Sequence, residues 1–357
     1  GQYSATDGLV SDWHLVHYGS RATGGVGLII TEMTAISETG RITEGCAGIY
    51  NEEQVVEWKK ITDFVHEHTA TKIGIQLGHS GRKGAVKKPW EGTNEPIDNA
   101  WELLSVSAIA FNDKMTVPKE MDANDMQNVI NQFANAAKNA EKAGFDMIEL
   151  QAHHGFLLAS FLSPLTNKRT DEFGGTVENR LKFPLQVFNA VRENFPTEKP
   201  ISVRISATDW AESGISQEDV LFIASEFKKA GADIINVSTG NTVENQNPKT
   251  GRMWQVPFSD MVRNEADIPT ITTGTITDID QINTIILSGK ADLVALGKPL
   301  LLDPYFVRKA QAYEQIHVTD IPNPYQKGIE NLYSSIVSER KQTERMKKAL
   351  KPKSNKK

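Results

Sequence analysis

The chain has 357 residues, of which 39% are hydrophobic and 24% are charged, and it contains one cysteine, Cys46. This composition is typical of a globular protein with a sizeable core, and a single thiol excludes an internal disulfide framework and a cysteine-ligated cluster. Residues 339–357 carry nine Lys/Arg and two Glu, so the rest of the chain is more acidic than the formal net charge of −6, which argues against nucleic acid as a partner.

Short β-branched segments alternate with amphipathic helical segments, beginning with a predicted helix at 12–22. Alternation of strand and helix predicts a parallel sheet. A doubly wound sheet is the alternative, but the phosphate-binding G-x-G-x-x-G run of that fold is absent. Strands are predicted at 26–34, 72–77, 147–152, 201–206, 233–239, 268–274 and 293–299, and further helices at 52–68, 122–143, 216–230 and 278–288.

We therefore expect an α/β fold, a (β/α)8 TIM barrel that lacks its first strand in this chain. A barrel has eight strands and seven are predicted. The chain begins at Gly1 without a methionine, so we expect the first strand upstream of residue 1. The barrel is expected over 1–322 and a basic C-terminal helical extension over 323–357.

Two further expectations follow from the same patterns. The long segment 78–121 is expected to form a hairpin and to cover the C-terminal end of the barrel, where barrel enzymes place their active sites. No apolar run approaches the roughly 20 residues of a membrane span, and no signal peptide begins the chain, so we expect a cytoplasmic protein. The basic extension is expected to be a solvated helix; docking onto an acidic neighbouring subunit, in a homo-oligomer, is the alternative.

Several polar or glycine residues follow or interrupt the apolar strands. Gln76 and Arg204 stand alone in such strands, and buried groups of this kind need partners or a ligand. A structural ion pair is the alternative for Arg204. The predicted strand ends at Gly274, Gly297 and Lys298 match the usual phosphate site of barrel enzymes, where glycine admits close contact and lysine adds charge.

Gln151 and His154 lie three residues apart at the C-terminal tip of the strand predicted at 147–152, and both can donate a hydrogen bond while neutral. Two such donors suit a carbonyl oxygen that gains charge during a reaction. Metal ligation by His153 and His154 is the alternative, although neighbouring strand residues point to opposite faces. A metal site at His14 and His17 is less favoured, and we expect no metal.

Ordered blocks of this sequence resemble the old yellow enzyme family of FMN-dependent ene-reductases. The blocks are 3–5, 73–83, 149–157, 161–180, 202–210 and 291–299. Within that family the chain is most similar to the reductase domain of anthraniloyl-CoA monooxygenases, in runs 41–46, 81–84, 90–92, 237–240 and 251–255. A cluster-containing dienoyl-CoA reductase is disfavoured, because no cysteine follows the barrel.

The resemblance implies FMN as the cofactor and NADH or NADPH as the reductant. It implies that Gln76 binds the flavin pyrimidine ring, that Arg204 lies near flavin N1, and that the backbone of Met33 lies against the flavin. It also implies a phosphate site at Gly274, Gly297 and Lys298.

The implied reaction is hydride transfer from reduced FMN to an α,β-unsaturated carbonyl or to an aromatic CoA-thioester-like small molecule. Gln151, where the family usually has His, and His154 would bind the carbonyl oxygen. Phe156 replaces the family's usual tyrosine proton donor, so the resemblance implies a proton from Tyr3, a substrate-contacting tyrosine, or from water. A flavin-binding barrel with little or no turnover is the alternative function, and a flavin-free aldolase or isomerase barrel fits less well.

Overall fold

A computed structural model describes residues 1–314, 316, 318 and 320–349. The strands found in these residues are β1 (Leu28–Ala35), β2 (Lys72–Gly78), β3 (Leu104–Ser105), β4 (Lys119–Glu120), β5 (Met147–Ala152), β6 (Ile201–Ser206), β7 (Ile234–Ser238), β8 (Thr270–Thr272) and β9 (Leu293–Val294). Seven of them form one parallel sheet in the order β1-β2-β5-β6-β7-β8-β9. The predicted α/β fold with seven barrel strands is confirmed, and β1 and β9 form the two edges of the sheet.

Helices follow the sheet strands and begin where polar side chains can bind free backbone N–H groups. They are α1 (Asp12–Thr23), α2 (Glu52–His68), α3 (Ala123–Lys142), α4 (Leu157–Leu162), α5 (Val177–Glu193), α6 (Gln217–Ala230), α7 (Val256–Glu265), α8 (Ile279–Leu287), α9 (Lys298–Leu302), α10 (Phe306–Tyr313) and α11 (Gln326–Ala349). Side chains that accept a hydrogen bond from the first helical turn are Asn51, Asp122, Thr176, Ser216 and Asp278, whereas α4, α7, α9 and α10 begin without such a bond.

The last two sheet strands are shorter than the sequence predicts. β8 ends at Thr272 rather than at Gly274, and β9 ends at Val294. Gly274 has a positive φ of 106°, which leaves extended geometry. Pro299 has no backbone N–H and lies in the first turn of α9, a position that suits proline. The glycines therefore lie beyond the strands, in the loops.

Within 78–121 an antiparallel bridge between Val86 and Pro96 encloses the turn at 89–92, but residues 103–111 do not form the expected hairpin. β3 and β4 pair in parallel, with Leu104 opposite Lys119, because the intervening loop carries the chain back before β4 begins. A tight hairpin would have made the two strands antiparallel.

The two faces of the sheet differ in polarity because side chains alternate along each strand. On β5 and β6 the apolar residues, such as Leu150 and Val203, belong to the main buried core. The alternate residues, such as Glu149 and Ser202, contact one another on the opposite face. The helices therefore cover an apolar face, and the interior of the curled sheet is polar.

The C-terminal helix α11 packs against α10 and has no buried residue. This agrees with a helical extension, although the division at residue 322 stays a prediction and residues 350–357 of the basic segment lie outside the described part. No helix in that part combines the length and apolarity needed to cross a bilayer.

Candidate active site

The polar interior is organised around the carboxylate of Glu149, which is 1% exposed. Its oxygens accept hydrogen bonds from Gln76 Nε2 at 2.7 Å, Asn236 Nδ2 at 2.7 Å and Ser202 Oγ at 3.2 Å. Strand register explains this convergence, because Glu149 pairs with Gln76 on β2 and with Ser202 on β6. The sequence analysis missed Glu149, although its spacing of two from Gln151 places both residues on one face of β5.

Gln76, Gln151 and Met33 are brought together at the C-terminal end of β1, β2 and β5. Gln151 Nε2 donates to Gln76 Oε1 over a long 3.4 Å, and Gln151 Oε1 is buried with no partner among the described residues. Met33 is opposite Gln76 in the register. A Cβ at Gly78 would lie 2.4 Å from Gln151 Oε1 and 2.9 Å from Met33 Cγ. Glycine at 78 therefore permits this close grouping.

Arg204 lies beside Gln151 in the register of β5 and β6. Within the described residues its Nε has no hydrogen-bond partner and no ion pair of its guanidinium is found. Burial lowers the pKa of Arg204, and the nearby negative charge of Glu149 acts in the opposite direction. A partly buried cation without a direct partner is unusual, and the structural ion pair considered from the sequence is not found among the described residues.

His154 lies just beyond β5 in a left-handed conformation with φ of 56°. Its backbone N donates to Ser206 Oγ at 2.9 Å, and its Nε2 is 2.8 Å from Ser238 Oγ. Burial, and then the positive charges of Arg204 and Lys83, lower the pKa of His154 well below 6.5. The imidazole is therefore neutral near pH 7. Positive φ at a non-glycine residue is a form of strain that concentrates at functional sites.

The neighbouring His153 is buried, and its Nδ1 has no partner among the described residues. The expectation that His153 and His154 point to opposite faces of a strand is wrong, because β5 ends at Ala152. Their rings instead pack edge to face with centroids 4.2 Å apart. Nowhere in the described ranges do three or more His, Cys, Asp or Glu residues form a group that could hold a metal ion.

Lys83 is a second residue that the sequence analysis did not select. Its Nζ donates to the backbone oxygens of His154 and Asn241, each at 2.8 Å. It lies 4.4 Å from the ring centroid of Phe111 and 5.1 Å from that of Phe156. Burial, and then the charge of Arg82, lower the pKa of Lys83 to about 7. Lys83 therefore lies between two aromatic rings at the C-terminal end of the sheet, and its pKa is lowered to about 7.

Tyr3 is not joined to this group. Its ring packs edge-on against Trp90 with centroids 6.4 Å apart. Burial, followed by the negative charges of Cys46 and Glu32, raises the pKa of Tyr3 to about 12. In the described part of the chain we find no hydrogen bond or aromatic contact from Tyr3 to Gln151 or His154.

The glycines and lysine of the predicted phosphate site follow β8 and β9, which are neighbours in the sheet. A Cβ on Gly274 would lie 2.9 Å from Gln255 Cγ and 3.1 Å from Trp254 Nε1, so only glycine fits there without movement. Gly297 faces open space, since no atom lies within 4 Å of the position of its absent Cβ. Lys298 is exposed and begins α9. The three residues lie near each other in the fold, several strands away from Gln76 along the sheet.

This parallel barrel-type sheet, with polar side chains grouped at the C-terminal ends of its strands, defines an α/β-barrel protein with a candidate active site. The NADH:flavin oxidoreductase / NADH oxidase family model matches residues 2–316, and the chain belongs to this family. It is accordingly a flavin oxidoreductase that uses a nicotinamide reductant and acts on small molecules.

The chain aligns with two NADPH dehydrogenases at 42% and 43% sequence identity. The NADPH dehydrogenase of Clostridium acetobutylicum is 42% identical over 327 residues, which are 91% of each chain. The NADPH dehydrogenase of Geobacillus sp. is 43% identical over 303 residues, 84% of this chain and 83% of the relative.

Solved structures share the fold at 24% identity. Morphinone reductase has a TM-score of 0.73 over 90% of this chain and 86% of its own. The old yellow enzyme homologue from Zymomonas mobilis has a TM-score of 0.70 over 89% of this chain and 87% of its own. A 2-naphthoyl-CoA reductase complex has a TM-score of 0.76 over 85% of this chain and 47% of its own. The finer similarity to anthraniloyl-CoA monooxygenases stays a prediction.

Proposed function

We propose that the flavin is FMN and that it binds across the polar C-terminal end of the sheet. The observation that carries this proposal is Arg204, a partly buried residue beside Gln151 in the register, whose Nε is buried and has no hydrogen-bond partner among the described residues. A reduced flavin is anionic near its pyrimidine ring, so a fixed cation there stabilises it. The unpartnered Oε1 of Gln151 and Oδ1 of Asn236 also fit a heterocycle that carries its own donors.

The phosphate of FMN would bind where the loops after β8 and β9 meet. Gly274 and Gly297 would let backbone N–H groups approach the phosphate oxygens, and Lys298 would add positive charge. Lysine supplies this charge without the bidentate geometry of arginine. These three residues and the pair Gln76 and Arg204 would contact opposite ends of one extended cofactor.

When bound, reduced FMN supplies hydride from N5 to the β-carbon of an α,β-unsaturated carbonyl. Gln151 and His154 would bind the carbonyl oxygen as neutral donors and stabilise the charge that it gains. The long bond between Gln151 and Gln76 is one that a better acceptor can replace. The contact between His154 Nε2 and Ser238 Oγ holds the ring in place, and the lowered pKa of His154 keeps the imidazole neutral.

The relatives are NADPH dehydrogenases, which favours NADPH as the reductant. An aromatic CoA thioester presents the same conjugated carbonyl to Gln151 and His154, and the resemblance found in the sequence favours it as a second substrate class. Association into a homo-oligomer stays a prediction.

The experiment is anaerobic mixing of the purified protein with NADPH, followed by 2-cyclohexenone or a cinnamoyl-CoA thioester. We expect bound FMN, bleaching of its absorbance near 450 nm on mixing with NADPH, and recovery of that absorbance with the acceptor. Bound FMN that NADPH does not bleach would support the alternative, a flavin-binding barrel with little or no turnover. Bleaching without recovery on any unsaturated carbonyl would contradict the proposed substrate class.

A further inference from the structure

Reduction of a conjugated carbonyl needs a proton as well as a hydride. Neither Phe156 nor Tyr3 is a suitable donor of this proton. Phe156 replaces the tyrosine that donates this proton in the family that the sequence resembles, and a phenyl ring has no acidic hydrogen. The pKa of Tyr3 is raised to about 12 by burial and by the charges of Cys46 and Glu32. Tyr3 is therefore a weaker acid than a free tyrosine, and its described contacts lie away from His154.

Lys83 lies where the missing donor is needed. Its ammonium contacts the ring of Phe156 and donates to the backbone oxygen of His154, whose side chain is proposed to bind the substrate carbonyl. A second N–H of the Lys83 ammonium donates to the backbone oxygen of Asn241. An ammonium group has three N–H bonds, so one is left for a ligand.

We propose that Lys83 is the general acid that protonates the α-carbon of the substrate. The inference rests on the proposed function, since it presupposes hydride transfer to a conjugated alkene. The α-carbon is bonded to the carbonyl carbon, so an acid that reaches it must lie near the residue that binds the carbonyl oxygen, and Lys83 is bonded to the backbone of His154.

Hydride arrival forms the β C–H bond, and the alkene electron pair moves to the α-carbon and the carbonyl oxygen. The Lys83 N–H bond then breaks as the α C–H bond forms, which leaves a neutral amine. Water protonates this amine before the next turnover, and the carbonyl is restored.

The surroundings of Lys83 suit this role. Burial, and then the charge of Arg82 on the same turn, lower its pKa to about 7. His153 and His154, on the loop after β5, have pKa values far below 6.5 and are neutral, and Arg204 on β6 adds positive charge near them. A general acid is most effective when its pKa lies near the working pH. Since the ammonium form is the donor, the alkene reaction should slow as the pH rises through about 7.

The test separates the half-reactions by stopped flow in Lys83→Met. We expect the rate of 2-cyclohexenone reduction by the reduced enzyme to fall about 10²-fold or more, and its dependence on pH near 7 to vanish. Flavin reduction by NADPH and reoxidation by ferricyanide, which needs no carbon protonation, should stay within about threefold. The control is Lys87→Met, an exposed lysine on the same segment that pairs with Glu95, and we expect it to change none of these rates.

Two further variants keep the test decisive. Phe156→Tyr in the Lys83→Met background places a phenol beside the lost ammonium and should restore the alkene reaction at least tenfold. Lys83→Arg keeps a cation between the two rings but does not release a proton near neutral pH. The Lys83→Arg variant should therefore lose the alkene reaction as Lys83→Met does, and it provides the test if Lys83→Met folds poorly.

The inference is overturned if either Lys83 variant reduces 2-cyclohexenone at the wild-type rate and with the wild-type pH profile. It is also overturned if ferricyanide reoxidation slows as much as alkene reduction, because Lys83 would then be a scaffold residue. Wild-type protein that is reoxidised by ferricyanide and by no unsaturated carbonyl contradicts the proposed function itself, and the inference with it.

Discussion

Among single residues, Glu149 and Arg204 set the charge of the barrel interior. The carboxylate accepts three hydrogen bonds from Gln76, Ser202 and Asn236, while the guanidinium has no ion pair in the described residues. A charge kept out of contact with its counter-charge is available to a ligand. The hydrogen bond from Gln76 Nε2 to Glu149 fixes the orientation of the Gln76 amide.

The substitution Arg204→Gln removes the guanidinium charge and tests whether that charge is available to the flavin. If the cation stabilises the anionic reduced flavin, its removal should lower the two-electron reduction potential by about 30 mV or more, equivalent to about 1.4 kcal/mol. Potentiometry with a reference dye measures the change. Arg263→Gln, which breaks a surface pair with Asp292, is the control and should leave the potential unchanged. An unaltered potential in Arg204→Gln with FMN fully bound would assign Arg204 a structural role.

Gln151 and His154 are tested as a pair of oxyanion donors. His154→Ala should slow alkene reduction about 10²–10³-fold and abolish binding of phenols, while flavin reduction by NADPH changes little. Gln151→His restores the commoner family pair and should increase the rate with simple enones if the donors limit it. Stopped-flow absorbance measures both half-reactions. Equal slowing of the two in His154→Ala would contradict carbonyl binding.

At the scale of elements, Arg82 joins segment 78–121 to the barrel. Its guanidinium donates to Ile109 O, Ala110 O and Thr242 O, and it stacks 5.7 Å from the ring centroid of Phe111. These contacts join two parts of the segment and connect it to the loop that follows β7. The same charge contributes to the low pKa of Lys83.

Arg82→Met should therefore release the segment locally. Hydrogen bonds to charged groups contribute about 1.5–3 kcal/mol each, so we expect faster amide hydrogen exchange at 109–112 without loss of the sheet's protection. The pH above which alkene reduction slows should move upward, because the charge that depresses the Lys83 pKa is gone. Exchange measured by mass spectrometry checks the first effect. Unchanged exchange would mean that packing of Phe111 alone holds the segment.

At the scale of the whole molecule, bound flavin should contribute to stability. A ligand at about 100 times its Kd raises the free energy of unfolding by about 2.7 kcal/mol. We expect FMN-free protein to unfold in less urea than the loaded protein, and riboflavin, which lacks the phosphate, to restore less of the difference. Equal protection by riboflavin and FMN would argue against the site at Gly274, Gly297 and Lys298.

Buried histidines should make the whole fold sensitive to acid. Burial lowers the pKa values of His17 and His79 to about 4, and those of His153 and His154 also fall well below 6.5. Between about pH 6.5 and pH 4 the unfolded chain binds more protons than the native one, so stability falls on acidification. Urea midpoints at pH 7 and pH 5 measure this. His79→Asn should reduce the difference, and an unchanged slope would exclude His79 as a contributor.

The alternation of strand and helix, and with it the parallel sheet, could be predicted from the amino-acid sequence, because hydrophobic periodicity and turn residues are local properties. The sequence also indicated which polar residues interrupt apolar strands, and so selected Gln76, Gln151 and Arg204. It misplaced the ends of β8 and β9, since the left-handed Gly274 and the first turn of α9 depend on backbone geometry.

Which of these residues contact one another depends on the three-dimensional fold. Strand register, set by packing between distant segments, brought Glu149 to Gln76, Ser202 and Asn236. Burial by several elements at once moved the pKa values of Lys83 and His154. Desolvation and long-range charge depend on every neighbour in space, and for that reason no local pattern in the sequence predicts the lysine beside Phe156.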